Sequence, residues 1–539
     1  MSFFVRCARN WHHYTFVDTT IQRGVRCFSN TSCKSQSLAP LNFIGKRSYP
    51  TGSDSFELRE PATGELLGVV QCSGNEDIAS AVSAAGLAFG QWSTLSGIER
   101  AQVLRRAADI VRQRQDEIAK WDSVDTGRCV SELQADIYGA IESLEYYASL
   151  ATTSVGHHVK LENGDFAYVT KEPYGIVAAI GSWNFPFCGA TWKVAPALAA
   201  GNTMIFKPSP LAPISTTLLA EILQDAGVPP GTLNVVQGEA ETGEMLCHHG
   251  DVSKVSFTGG IQTGAKIMQS CALGIKDVTL ELGGKSPLII FPDCDMDNAV
   301  NAALNANFEL VGQSCTNGTR VFLHESIKDE FTEKIVERTK NIKVGHPADP
   351  GVQMGAMISE DHLKKVLGYV QSAKDEGADI LCGGKRLQMK DPKIAGGYYI
   401  SPCVLTNCRD DMKVVKEEIF GPVMSILSFA TEEEVIKRAN DTHYGLASGL
   451  FTRDLSQAHR VAAKLNAGGC WINTYNIFRP QFPGGGFKMS GIGRENGREG
   501  FDAYTQTKVV YVGNGNVETP FCPVSSSSSL VFHWCSSVI

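Results

Sequence analysis

Two hydrophobic rhythms alternate along most of the chain. Residues 97–120 (GIERAQVLRRAADIVRQRQDEIAK) set apolar side chains at helical spacing among charges, which predicts a surface helix. Short uninterrupted apolar runs at 174–181 (YGIVAAIG), 203–206 (TMIF) and 233–236 (LNVV) read instead as buried strands, with helical stretches at 190–200 and 214–226 between them. Strand–helix–strand alternation of this kind implies an α/β fold with a parallel, doubly wound sheet. A second region of the same texture runs from about Ser286 to Lys488. It opens on the strand-like PLIIF, and the alternation continues through VERTKNIKV and Glu417–Phe420. Before the first buried strand, two β-prone runs flank Asn163-Gly164, a strong hairpin signal. Such a hairpin is either an edge offered to a second subunit or an ordinary surface feature.

Length and composition set bounds on this picture. At about 150 residues per domain, 539 residues make roughly three or four units. Hydrophobic residues at 43% and charged residues at 20% suit a globular protein with a large core. A net charge of −8 gives no bulk attraction to nucleic acid or to an acidic membrane, and no run of 18 apolar residues is present to cross one. The 16 cysteines contain no C-x-x-C pair, which argues against zinc ribbons, thioredoxin chemistry and attached haem and for a reducing compartment. In that compartment the sequons at Asn30 and Asn317 carry no meaning.

The two ends differ from the body. Residues 1–38 carry Arg6, Arg9, Arg23, Arg26 and Lys34 against one acid, Asp18, the signature of an organellar transit peptide and so of the mitochondrial matrix; the alternative is a leader without an address, in a cytoplasmic protein. The segment 520–539, with five consecutive serines, reads as an appended, disordered tail.

Four local patterns carry chemistry. Cys315 lies in a Gly- and Asn-rich turn (GQSCTNGTR, 312–320) after a helix-like stretch. This setting suits an exposed nucleophile whose pKa neighbouring backbone amides lower, although most free cysteines are small buried hydrophobes. Glu281 stands between apolar residues before a Gly-Gly turn (VTLELGGKS, 278–286). Burial there would raise its pKa and suit it to general-base work; pairing with Lys285 is the structural alternative. The GGKS is no Walker A loop, because residue 279 is Thr. Asn184, in WNFPF (183–187) at the end of a strand, can donate to a developing oxyanion or simply form a turn. The fourth pattern, FTGGIQTG (257–264) with FKPSP (206–210) upstream, places glycines at a helix start, where phosphates can approach backbone amides; alone it is a weak signal.

Together these patterns resemble the NAD(P)-dependent aldehyde dehydrogenases. The resemblance runs from about Leu41 to Thr519 and includes LNVVQG (233–238), EEIFGP (417–422) and SGIGRE (490–495) in order. Within that family the texture of VTLELGGKSPLIIFPDCDMDNA looks most like the enzymes of trimethylaminobutyraldehyde and betaine aldehyde, which handle cationic aminoaldehydes; the former reaction belongs to carnitine biosynthesis. The resemblance implies a Rossmann-like cofactor-binding domain (39–150 and 174–284), an α/β catalytic domain (285–488) and a hairpin-plus-strand oligomerisation element (155–173 and 505–519) building a homotetramer or dimer.

It also implies roles, residue by residue. Cys315 attacks the aldehyde, Asn184 and the Cys315 amide hold the oxyanion, and Glu281 activates water to hydrolyse the thioester, which favours an acid product over acyl transfer to coenzyme A. Lys193 and Glu495 relay the proton. NAD, with NADP not excluded, is expected against Trp183, Lys207, Ser209, Gly238, Gly243, Thr258, Gly259, Gly260, Gly264, Leu282, Glu418 and Phe420. Lys207 falls on the adenosine ribose, Glu418 on the nicotinamide ribose and Phe420 beside the nicotinamide. No metal is implied.

The chain departs from the family's pattern in four places. Gly260 replaces a usual Ser, and Pro210 stands where NAD-preferring members often have a ribose-binding Glu. Gly484 and Glu309 replace aromatics at the substrate end. Phe185, Trp192 and Phe478 remain to face a substrate cation, and Glu309 with Asp136 nearby is expected either to add a carboxylate for it or to sit solvated at the rim. Rival functions are a broad aliphatic or aromatic aldehyde dehydrogenase, a non-catalytic structural relative and a Cys–His thiol hydrolase. The joint presence of Cys315, Glu281, Asn184, Lys207 and Glu418 argues against the second, and none of the 12 histidines sits in a cysteine-protease motif.

Overall fold

The computed structural model describes residues 41–513 together with Gly515, Val517 and Phe521. The leader expected at 1–38 and, Phe521 apart, the tail expected at 520–539 lie outside the described residues.

Two sheets organise the molecule. The first has eight strands in the spatial order Gly491–Ile492, Asp277–Glu281, Val252–Thr258, Ile176–Ile180, Thr203–Lys207, Leu233–Val235, Asn42–Phe43 and Arg47–Ser48. Its five central strands run parallel. They are apolar without alternation because both faces are covered. Met204 and Phe206 enter one hydrophobic cluster with Trp92, Leu144 and Phe187, while Ile205 points the other way into a cluster with Ile78, Val255 and Leu280. Strand order reverses at Ile176–Ile180, from which the chain winds first toward Thr203–Lys207 and later back to Val252–Thr258. In open α/β sheets the crevice beyond the carboxyl ends at such a reversal is where ligands bind.

The second sheet has seven strands, in the order Asp379–Cys382, Cys403–Thr406, Val423–Phe429, Arg320–His324, Pro287–Ile290, Ala447–Phe451 and Gly469–Ile472. All pairs but the first are parallel. A third, three-stranded sheet joins Thr505–Val512, Phe166–Pro173 and His157–Lys160, all antiparallel.

Three sequence expectations change in detail. The helix expected over 97–120 is two, Gly97–Gln113 and Gln115–Thr126, broken at Arg114 (φ −104°, ψ 16°). The break falls in the polar run RQRQDE, where no apolar side chain ties the turn to the core. Glu417–Phe420 belongs to no strand; Phe420 adopts φ 59°, which no strand continues through, and the segment serves the cavity instead. The hairpin at Asn163-Gly164 forms, but through a five-residue connection between Lys160 and Phe166 with a 3₁₀ turn over Glu162–Gly164, rather than a two-residue turn.

Candidate active site

The carboxyl ends of the first sheet and the amino ends of the second open onto one cavity of about 1600 Å³. That exceeds the roughly 300–1,000 Å³ typical of a single small-molecule site and leaves room for two ligands. From the first sheet come Gly181–Phe185 after one strand, Lys207 and Ser209 after the next, Thr258, Gly259 and Gly260 after a third, and Glu281 and Leu282 after a fourth. From the second come the segments that precede its strands: Cys315 before Arg320–His324, Glu418 and Phe420 before Val423–Phe429, and Leu446 before Ala447–Phe451.

Cys315 stands on the wall, half-buried. Its expected low pKa is not what the structure gives. The amides of Cys315 and Thr316 do favour the thiolate, but burial, with the carboxylates of Glu418 and Glu281 adding to it, pushes the thiol up to about 12. The amides are outweighed because the cavity around the sulfur is walled by protein and faces two acids.

Asn184 is 5% exposed and tightly held. Ser182 Oγ donates to its Oδ1 at 2.8 Å, and its Nδ2 donates to the carbonyl of Gln313, two residues before Cys315, at 3.0 Å. A carboxamide nitrogen has two hydrogens, so one remains beyond the Gln313 bond. Pro186, at the first position of the helix Pro186–Ala199, fixes the chain's exit from this corner.

Glu281 ends its strand with Oε1 buried and without a hydrogen-bond partner. Burial first, then the negative charge of Glu495, raises its carboxyl to about 8, against a smaller lowering by Lys193 and Arg494. Pairing with Lys285 does not occur: Lys285 Nζ is buried without a partner, and burial lowers it to about 7. Lys193 instead forms a buried ion pair with Glu495, and Ser256 Oγ bonds both, at 3.1 Å from Lys193 Nζ and 3.2 Å from Glu495 Oε1. Glu281, Lys193 and Glu495 all stand on the cavity wall, with Ser256 behind the ion pair.

At the opposite end, Lys207 Nζ donates to the carbonyls of Pro208 (2.9 Å) and Gly238 (2.7 Å), leaving one of its three hydrogens. Burial lowers it to about 8. The helix Ile261–Ala272 begins at Gly260 with no side chain capping its first turn, and Gly259, Gly260 and Thr263 lie on the wall. Glu418 accepts from the Gly284 amide at 3.1 Å, and burial raises it to about 7. A Cβ at Gly283 would lie 2.3 Å from its carboxylate. Gly238 and Gly264 are behind the wall rather than on it: Gly238 anchors Lys207 through its carbonyl, and Gly264 packs against Leu282, where a Cβ would come within 2.6 Å. Trp183 meets Phe420 edge-on, with ring centres 5.1 Å apart.

One wall is aromatic. Phe185 stacks toward Trp192 with 6.3 Å between centroids, and Phe478 lies 6.3 Å from Trp192. Glu309 is not on this wall. It stands exposed at a kink where Leu310 and Val311 both take left-handed φ, nearer the solvated alternative; Asp136 lies close enough to act on its carboxyl but is itself paired at 2.6 Å with Arg128. The acids that line the cavity are Glu239, Glu244, Glu281, Glu418 and Glu495, and none belongs to the aromatic wall.

Comparison with known proteins decides the family. The sequence profile of the aldehyde dehydrogenase family matches residues 49–510. The chain belongs to the aldehyde dehydrogenase family. Membership makes it an oxidoreductase acting on aldehydes. It is 55% identical over 484 residues to 4-trimethylaminobutyraldehyde dehydrogenase of Homo sapiens, covering 89% of this chain and 98% of that one, and 53% identical to form A of the same enzyme from Danio rerio (89% and 95%). Among solved structures, betaine aldehyde dehydrogenase of Staphylococcus aureus in complex with NAD+ superposes with a TM-score of 0.87 at 37% identity, covering 90% of this chain and 97% of that one. The NAD+ complex of a Bacillus cereus aldehyde dehydrogenase gives 0.85 at 39% identity, covering 88% and 97%.

Sequence reasoning missed several wall residues of this dehydrogenase. Trp471 lies 5.5 Å from Phe478 and adds a ring, and Phe482 stands two residues before Gly484. His362, held neutral because burial lowers it to about 4, touches Trp183 and bonds the Phe420 carbonyl at 2.7 Å. Glu239 lines the cavity near enough to Lys207 to act on its charge. The strand-like period around Trp471 was the available signal; His362 lies on the ordinary amphipathic helix Glu360–Asp375 and gave none.

Proposed function

We propose that the protein oxidises a cationic aminoaldehyde, of the trimethylaminobutyraldehyde or betaine aldehyde type, to its carboxylic acid with NAD. The observation that carries the substrate class is the aromatic wall of Phe185, Trp192, Phe478 and Trp471, which contains no acid. Ring faces attract a quaternary ammonium by about 0.5–2 kcal/mol and leave no buried carboxylate unpaired when it departs. The names of the relatives point to the same class.

The residues fit a dinucleotide. The uncapped helix at Gly260 offers amides to a pyrophosphate, Lys207 retains a donor for one ribose, and the Glu418 carboxylate offers an acceptor to the hydroxyls of the second. Glu239 beside Lys207 disfavours a 2′-phosphate, which supports NAD over NADP and compensates for Pro210. When bound, the nicotinamide supplies the hydride acceptor.

The protein's own groups do the rest. Cys315 gives up its proton to solvent in the cavity as its sulfur adds to the aldehyde carbon; the remaining Asn184 N–H and the Cys315 amide hold the oxyanion, a donor typically worth about 10²–10³ in rate. Loss of hydride leaves a thioester on Cys315. Glu281, charged above about 8 and partly so at neutral pH, takes one proton from water, whose oxygen attacks the thioester; the C–S bond breaks, the acid leaves as its carboxylate, and the water's second proton restores the thiol. The proton passes toward Glu495 and Lys193. The leader supports import into mitochondria, the exposed three-stranded sheet a homo-oligomer, and the substrate class a place in carnitine biosynthesis.

The test is kcat/KM for 4-trimethylaminobutyraldehyde against its uncharged isostere 5,5-dimethylhexanal. We expect the cation to be preferred by about tenfold, the factor that corresponds to about 1.4 kcal/mol. Equal values would defeat the aminoaldehyde assignment.

A further inference from the structure

A buried charged group behind the catalytic corner is not used by the chemistry above. Arg128 is 1% exposed. Its Nη1 donates to Asp136 at 2.6 Å and to the carbonyl of Asn184 at 2.9 Å, and the guanidinium lies 5.0 Å from the centre of the Phe185 ring. One helical turn on, Glu132 approaches Arg128 Nε at 3.8 Å and accepts a hydrogen bond from the Leu310 amide at 3.1 Å.

These two contacts reach opposite halves of the site. Asn184 follows a strand of the first sheet, and Leu310 belongs to the segment leading to Cys315 in the second. That segment is strained: Leu310 and Val311, neither of them glycine, take φ 56° and 57°, followed by Gly312 at 70°. Left-handed backbone at such residues persists only where the surroundings over-determine it. Gln313 completes the frame. Its carbonyl takes the Asn184 amide, its own N–H bonds the Leu310 carbonyl at 3.0 Å, and its Oε1 accepts from the Ile358 amide at 3.0 Å. The first turn of the helix Val130–Ala151 and the residue pair before it therefore hold, from behind, both the oxyanion donor and the loop of the nucleophile.

We propose that Arg128 and Glu132 are positioning residues that set Asn184 in register with Cys315. The proposal rests on the roles given above to those two residues. Arg128 suits the task because its Nη1 reaches both a carboxylate and a carbonyl while the rest of the planar cation lies over a ring, a reach and spread of charge that a lysine ammonium lacks. Glu132 acts through its oxygen as an acceptor. Burial raises its carboxyl to about 7 against the lowering by Arg128 and the Leu310 amide; a glutamine keeps the acceptor oxygen and gives up only the charge. Displacing a reacting group by about 1 Å costs on the order of 10² in rate.

The experiment measures the rate constant of the NADH burst in stopped flow, with the NAD-loaded enzyme and one aldehyde, alongside KM for NAD. Glu132→Asp keeps the charge beside Arg128 but withdraws the acceptor from Leu310; Glu132→Gln does the reverse. We expect Glu132→Asp and Arg128→Lys to slow the burst tenfold or more with KM for NAD changed less than twofold, and Glu132→Gln to stay within threefold of the wild type. A role confined to neutralising buried charge predicts the opposite order, with Gln the worse variant, and that order overturns the proposal. So does a wild-type burst in Glu132→Asp. Asn184→Ala is run in parallel: should it keep the wild-type burst, the assigned oxyanion role fails rather than the positioning role.

Discussion

At the scale of single residues, the chemistry rests on groups held away from their ordinary protonation. The thiol of Cys315 and the carboxyl of Glu281 are both raised, each first by burial and then by a nearby acid. A group whose pKa is raised acts as a base only as pH climbs toward it. The hydrolytic step is therefore expected to accelerate with pH to a plateau above about 8, the value to which Glu281 is raised. Glu495 contributes to that elevation, so Glu495→Gln should move the midpoint of the deacylation profile to lower pH; a midpoint that stays or rises would show that Glu495 does not act on Glu281. The sequence made Cys315, Glu281 and Asn184 legible because each sits at an abrupt change of pattern, the first two beside glycine-rich turns and Asn184 where a strand ends before Pro186. It did not reveal that two amides would lose to burial at Cys315, since the acids responsible, Glu418 and Glu281, come from separate parts of the chain.

At the scale of elements, the site is a meeting of loop ends, and glycine is required where side chains must come close. Gly283 is the clearest case: a Cβ there would lie 2.3 Å from Glu418 Oε2 and 2.9 Å from Oε1. Gly283→Ala should push the carboxylate aside and weaken NAD binding by tenfold or more, measured by titration of protein fluorescence, while leaving the melting temperature within a few degrees. Unchanged NAD affinity would remove Glu418 from the cofactor site. The parallel strands were readable from their unbroken apolar runs, because a strand covered on both faces cannot alternate. The kink at Leu310–Gly312 was not, since nothing in the string ELVG signals a left-handed turn; the family resemblance left Glu309 either beside the substrate or solvated at the rim, and it is exposed, off the cavity wall.

At the scale of the whole molecule, the three-stranded sheet presents Tyr511 and Val159, 74% and 50% exposed, on either side of the buried Ala167. Apolar side chains aligned across an exposed sheet offer a partner both area and an open edge. Replacing Tyr511 and Val159 together with Asp is expected to reduce the assembled species to a smaller one in sedimentation velocity; an unchanged sedimentation coefficient would move the interface elsewhere. Two sheets meeting carboxyl end to amino end also explain why Phe185, Trp192 and Phe478 were named only through the family resemblance and Trp471 was missed. Phe185 and Trp192 come from the first sheet's connection and Trp471 and Phe478 from the second, and no local pattern joins segments nearly 300 residues apart.

The central claim is that Cys315 carries the acyl group and Glu281 removes it. Rapid mixing of NAD-loaded Glu281→Gln with aldehyde tests both halves at once. The account predicts a burst of NADH equal in amount to the active sites, followed by a stall, with Cys315→Ala giving no burst. Sustained wild-type turnover in Glu281→Gln, or a burst from Cys315→Ala, would contradict it.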